Sequence, residues 1–305
     1  MTGLPGEPAV QITPDGRRLD VLTAGPADGL PLVFHHGTPG GLVAFPAMVD
    51  AAAARGLRTV MYARPGYGGS TPQPGRAVAS AAADVAAVLD GLGAGPFLTV
   101  GWSGGGPHAL ACAAGLPGRC LAAATVAGVA PYAAPGLDWL DGMGVENLAE
   151  FGAAEQGEAA LTAYLDAAAA GLSRVTSDQV AASLGDLASP ADQAVITAGF
   201  AEYLAAAFRA ALRGGIAGWR DDDLAFVTGW GFLLNDSFQV PVAVWQGDAD
   251  RMVPFGHGAW LATQLPGARA HLESGEGHLT LVARKFGAVL DDLLGLAGQP
   301  ARPGS

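Results

Sequence analysis

The segment Gly101-Trp102-Ser103-Gly104-Gly105 follows the apolar run Phe97-Leu98-Thr99-Val100 and precedes residues 107–114, which read as helix. A strand, a tight turn with serine at its apex and a helix are thereby placed in immediate succession. Serine on so sharp a turn must take strained backbone angles, and glycines at 101 and 105 remove the Cβ atoms where strand and helix nearly touch. The turn therefore presents the Ser103 hydroxyl outward at the carboxyl edge of a sheet. G-x-S-x-G is a short pattern, and an ordinary glycine-rich loop satisfies it equally well. The rest of the chain has to decide between the two.

Short β-branched runs alternate with alanine-rich stretches from residue 9 to about 130, the pattern of a parallel sheet covered on both faces. Two antiparallel strands at 10–13 and 18–23 flank a turn at Pro14-Asp15-Gly16. Further strands are expected at 32–35, 59–63, 97–100 and 122–127, with helices at 41–55 and 77–92. Composition then changes, because residues 131–236 hold few β-branched runs. They include the helix start Ser189-Pro190-Ala191-Asp192, a serine cap with proline at the first helical position. This block reads as a helical insertion in which Tyr164, Leu165, Tyr203, Leu204, Phe208 and Leu212 fall at amphipathic spacing. Strand grammar resumes at 240–245, followed by a helix at 256–264, a strand at 268–272 and a last helix at 280–294. The expected fold is α/β, a mostly parallel eight-stranded sheet with helices on both faces.

Of the 305 residues, half are hydrophobic and 14% charged, which predicts a compact globular chain with a large core. A formal charge of −12 opposes polyanion binding, so nucleic acid is not expected as a partner. Cys112 and Cys120 read as two buried thiols. The start Met1-Thr2-Gly3-Leu4-Pro5 lacks the basic and apolar regions of a signal peptide, and a cytoplasmic location follows by default. Uncharged runs near membrane-span length are broken by Gly104-Gly105-Gly106-Pro107 and Pro131, so no membrane association is expected.

Two further loops bear on the chemistry. His35-His36-Gly37-Thr38-Pro39-Gly40-Gly41 lies between a strand and a helix, where exposed backbone N–H groups can hold a developing oxyanion. Gly247-Asp248-Ala249-Asp250 lies just beyond a strand, and Gly275-Glu276-Gly277-His278-Leu279 lies between the last strand and the last helix. A strand-end carboxylate and a loop histidine complete the set that nucleophilic acyl transfer needs. No cysteine, histidine or acidic cluster has metal-ligand spacing, and Gly104-Gly105-Gly106 lacks the register of a dinucleotide-binding turn. No cofactor is expected.

On these motifs the chain resembles the α/β-hydrolase fold superfamily, in the capped group that includes esterases, proline iminopeptidases and epoxide hydrolases. Arg64-Pro65-Gly66-Tyr67-Gly68-Gly69-Ser70 is similar to the family turn D-x-x-G-x-G-x-S, with Ala63 where aspartate is common. The resemblance implies a core at 1–130 and 237–297, a helical cap at 131–236 and a tail at 298–305. It also implies the order Ser103, Asp250, His278 for nucleophile, acid and base, since the spacing Gly-x-x-Asp-x-x-Val-Pro selects Asp250 over Asp248. His278 would take the serine proton and return it to the leaving group, while Asp250 holds the imidazole tautomer. The N–H groups of Gly104 and Thr38 would meet the oxyanion. Trp102, beside the nucleophile, and Trp230, near the cap boundary, are the candidate substrate contacts, although both also read as core wall. His35, His36, His108, His257 and His271 read as structural.

The implied activity is a cofactor-independent serine hydrolase acting on a small ester, thioester or amide, with a carbonyl-bearing small molecule as its partner. Ser103 sets the chain apart from the epoxide hydrolases and haloalkane dehalogenases of the superfamily, which use an aspartate nucleophile. A proline-iminopeptidase-like aminopeptidase is the main alternative. It would need a cap carboxylate such as Glu146, Glu150, Asp166 or Glu202 for the substrate amine, and Trp102 before Ser103 departs from its usual turn. Carbon–carbon bond hydrolases, perhydrolases and acyltransferases share the triad, and a non-catalytic ligand-binding protein is the reading from another class. The sequence leaves the substrate and any homo-oligomer open.

Overall fold

The computed structural model describes residues 9–235 and 238–298. The N-terminal stretch, the tail from 299 onward and the expected cap boundary at 236 lie outside the described residues. Eight strands form one sheet: β1 Ala9–Ile12, β2 Arg18–Ala24, β3 Leu30–His35, β4 Leu57–Tyr62, β5 Phe97–Trp102, β6 Cys120–Val126, β7 Val242–Gly247 and β8 Arg269–Glu273. Their spatial order is β1-β2-β4-β3-β5-β6-β7-β8. β2 runs antiparallel to β1 and β4, and all other pairs are parallel.

Successive strand residues point to opposite faces, so each central strand feeds two cores. On β4, Val60 and Tyr62 join one apolar cluster, and Leu57 and Met61 join the other. The first core is covered by α2 Ala81–Gly91 and α3 Gly106–Gly115, together with a later helix at Phe255–Gln264; the second is covered by α1 Pro46–Ala53 and the last helix, His278–Leu296. Between β6 and β7 lie α4 Val145–Glu155, α5 Glu158–Leu172, α6 Val180–Leu184, α7 Pro190–Gln193, α8 Ala198–Ala211 and α9 Ala217–Val227. The helices after β7 and β8 are α10 and α11. Cys112 and Cys120 are both buried and unpaired, and burial pushes the Cys120 thiol up to about 12.

Element boundaries differ from expectation where proline or a cap intervenes. The helix expected from residue 41 begins at Pro46, whose fixed φ suits the first helical position. The preceding loop stays irregular because it packs on α8: a Cβ on Gly41 would lie 2.6 Å from that of Ala210. The strand expected from 240 begins at Val242, since Pro241 has no N–H for the ladder, although its carbonyl still accepts from Ala123. The last helix starts two residues early, at His278.

The site's position follows from topology. The chain leaves β3 toward β4 on one side and leaves β5 toward β6 on the other, so crossover direction reverses between β3 and β5. Open α/β sheets bind ligands outside the carboxyl ends of such strands. Here the two ends meet in register, with His35 opposite Gly101.

Candidate active site

Ser103 sits immediately after β5 with φ of 57°, one of two non-glycine residues with positive φ among those described. Such angles cost of order 1–3 kcal/mol and persist only where the surroundings impose them. The surroundings here are glycine contacts: a Cβ on Gly101 would collide with the Gly105 carbonyl, and one on Gly105 with the His35 carbonyl. β3, β5 and α3 therefore approach closely enough to force the turn.

The expected acyl-transfer residues are brought together at this edge. His278 Nδ1 lies 2.8 Å from Asp250 Oδ2, and both side chains are buried. Asp250 is held in turn by the backbone N–H groups of Met252 and Val253, each 2.9 Å from Oδ1, and by Gln246 at 3.2 Å. Asp248 instead accepts from Gly275 and Ser274 in the adjoining turn. Burial disfavours the charged form of His278, but the charge and hydrogen bond of Asp250, with Asp192 adding to them, outweigh it and raise its pKa above 6.5. With Nδ1 engaged by Asp250, proton exchange at this imidazole falls to Nε2.

Thr38 and Gly104, the expected oxyanion donors, are neighbours: a Cβ on Gly104 would lie 2.7 Å from that of Thr38. Gly37 also lies against Ser103, its Cβ position 3.4 Å from the Ser103 Cβ. Trp102 lines the site and donates to the His278 carbonyl at 3.2 Å. Trp230 is placed elsewhere. It is buried in the core against Phe232, its carbonyl accepts from Ala79, and it lines neither cavity at Ser103. The segment after α9 turns back over residues 77–79, which carries the indole away from the site.

The other histidines are held by structure. His35 contacts Thr99, His36 bridges the Gly37 carbonyl and the Arg64 N–H, His108 pairs with the Gly104 carbonyl, His257 spans Ala130 and Trp139, and His271 faces Asp292. Burial pushes His35 down to about 3 and His257 to about 4. Among the described residues no group of three or more His, Cys, Asp or Glu is arranged to hold a metal ion.

Three supporting groups had no assigned role in the sequence reading. Asp192 of α7 is fully buried and accepts from the backbone N–H groups of His278, Leu279 and Thr280 at 3.2, 2.7 and 3.2 Å, and from the Ser189 hydroxyl at 2.8 Å. It thus caps α11, whose first residue is the candidate base His278. Gly277 leaves it room, since a Cβ there would lie 2.5 Å from the Asp192 carboxylate. The sequence signal was the Ser189-Pro190-Ala191-Asp192 start, read only as a local cap. Asp192→Ala is expected to cost about 1–3 kcal/mol of stability. It should also lower the pKa of His278, visible as an acid-side shift of the pH–activity profile; an unmoved profile would count against any role in positioning the base.

Arg64 and Asp222 form the second support. Arg64 is buried and donates to the carbonyls of His36 at 2.6 Å and Gly37 at 3.0 Å, to the Thr38 hydroxyl at 3.0 Å and to Asp222 at 2.6 Å. Asp222 of α9 also accepts from Thr38, Tyr67 and Arg76 at 2.8, 2.8 and 2.7 Å. Burial alone would raise the Asp222 pKa, but the two guanidinium groups hold it well below the usual carboxylate range. The loop carrying Thr38 is thereby fixed by an ion cluster that α9 completes.

Two cavities meet at Ser103. The larger, ≈ 260 Å³, includes Thr38, Gly104, Glu146, Glu150, Trp219 and Asp223 in its lining. The smaller, ≈ 60 Å³, is lined by Trp102, His278, Tyr203 and Leu204 among others.

Comparison with known proteins agrees with this architecture. The family model described as alpha/beta hydrolase fold matches residues 31–284. A non-heme chloroperoxidase of Streptomyces lividans is 35% identical over 144 residues, 47% of this chain and 52% of that protein, so the match spans about half the length of this curated relative. Among solved structures, epoxide hydrolase A of Mycobacterium thermoresistibile superposes with a TM-score of 0.71 at 21% identity, covering 98% of this chain and 100% of that one. A thermophilic esterase of Thermogutta terrifontis gives 0.67 at 19% identity, with 96% and 100% covered. At these identities the structural likenesses speak for the fold, and the family match, over most of the chain, supplies the assignment. The protein belongs to the alpha/beta hydrolase fold family.

Proposed function

We propose that the protein is a cofactor-independent serine hydrolase that cleaves a small ester, thioester or amide through an acyl-enzyme on Ser103. The observation that carries this is the buried Asp250–His278 pair at 2.8 Å beside a serine held at φ 57° on the edge of the sheet. Ser103 Oγ attacks the carbonyl carbon as its proton passes to His278 Nε2. The carbon–leaving-group bond then breaks, with His278 returning the proton to the leaving group. Water repeats the sequence on the acyl-enzyme, releasing the acid and restoring the serine. The oxyanion formed at each addition is met by the N–H groups of Gly104 and Thr38, and each such donor is typically worth about 2.7–4 kcal/mol.

Because His278 must be neutral to accept a proton, kcat/KM for a short-chain nitrophenyl ester should rise with pH through a midpoint above 6.5. Asp250→Asn should lower that midpoint and reduce kcat by roughly 10⁴-fold. The same raised pKa stabilises the fold fully below about pH 6.5, a contribution lost as pH climbs through the folded value. Loss of activity in Asp250→Asn with an unchanged midpoint would remove His278 as the base.

A further inference from the structure

The wall of the larger cavity contains a buried acid that no basic side chain among the described lining residues balances. Asp223 is fully buried and lines this cavity, yet among the described residues no N–H or alcohol hydroxyl donates to either carboxylate oxygen. Its polar neighbour is another acid, Glu150, whose Oε1 accepts from Trp219 Nε1 at 2.8 Å. Glu146 on the same wall keeps Oε2 buried and unpartnered, while its Oε1 accepts from the Asp186 N–H at 3.2 Å. Among the described residues no Lys, Arg or His lines this cavity. The contrast with the preceding residue is direct, since Asp222 is saturated by two arginines, a tyrosine and a threonine. Burial, reinforced by the charge of Glu150 and the hydrogen bond with it, pushes the Asp223 carboxyl well above its usual range, and burial takes Glu150 up to about 7 against the hydrogen bonds of Trp219 and Asp223.

Unpaired buried carboxylates are costly, and a cation entering the cavity would offset that cost. Among the described residues the acids do not form a metal-holding group, and Trp219, Tyr164 and Phe226 line the cavity with them. Aromatic faces next to carboxylates suit an organic ammonium ion. The two cavities also divide the substrate. His278 lines the smaller one and must protonate the leaving group, so the leaving group lies there; Gly104 and the acids line the larger, which is left for the acyl chain.

Building on the serine-hydrolase reading, we infer that the acyl part of the substrate carries an ammonium group and that Asp223, together with Glu150, receives it. The test compares nitrophenyl esters in isosteric pairs at neutral pH: glycyl against propionyl, β-alanyl against butyryl, and 6-aminohexanoyl against heptanoyl. In at least one pair the wild type should favour the ammonium ester by about tenfold or more in kcat/KM, the scale of a charge-assisted hydrogen bond. Asp223→Asn should collapse that ratio toward one, and Glu150→Gln reads the same ratio if Asp223→Asn does not fold. Alkanoyl esters equal to or better than their ammonium partners in every pair, or a ratio that survives both variants, would overturn the inference. Labelling of Ser103 by a neutral fluorophosphonate is read separately. A labelled serine with no ammonium preference refutes the subsite alone, whereas an unlabelled serine refutes the hydrolase reading.

Discussion

Ser103→Ala is expected to fold normally and to lower kcat for an activated ester by roughly 10⁴–10⁶-fold, the scale on which loss of a serine nucleophile acts. Only Oγ is removed and the backbone of the turn is unchanged, so the main effect should fall on chemistry. The turn offers an internal control. Glycine adopts positive φ without the penalty serine incurs at 57°, so Ser103→Gly should be equally inactive and about 1 kcal/mol more stable than Ser103→Ala. Thermal unfolding of the two variants in parallel measures this. Equal stability would mean that the turn imposes no strain, and substantial activity in either would mean that another group attacks the substrate.

Asp222→Ala is expected to produce the largest loss of stability. Removing the carboxylate leaves Arg64 and Arg76 buried with like charge and no counterion, and breaking a buried pair in this way costs about 3–5 kcal/mol. Activity should fall as well in whatever fraction folds, because Arg64 tethers the loop bearing Thr38 and would lose its own anchor. Denaturant titration gives the first quantity and kcat for a nitrophenyl ester the second. A loss under about 1 kcal/mol would show that the cluster is solvated and carries little weight.

The fold was legible because its signals are local. Alternating β-branched and alanine-rich segments report a parallel sheet regardless of what they pack against, and the elbow glycines sit within two residues of the serine they accommodate. The candidate residues Asp250 and His278 were reachable for the same reason, since Asp250 lies in the loop after β7 and His278 at the helix start shortly after β8. The supports were not. Arg64 meets an aspartate 158 residues away, and His278 takes its cap from one 86 residues back, distances over which periodicity carries no information. Asp221-Asp222-Asp223 is an acidic run in a chain of low charge, a pattern that a solvated helix face shares. Only packing separates them, turning Asp222 toward two arginines and Asp223 toward the cavity. Trp230 shows the converse, a residue adjacent in sequence to the cap end whose chain direction takes it into the core.

The most direct measurement is intact-mass spectrometry after exposure to a fluorophosphonate, with wild type and Ser103→Ala treated alike. An activated serine predicts one stoichiometric adduct on the wild type and none on the variant. An adduct of equal extent on both, or none on a folded wild type, would contradict Ser103 as the nucleophile.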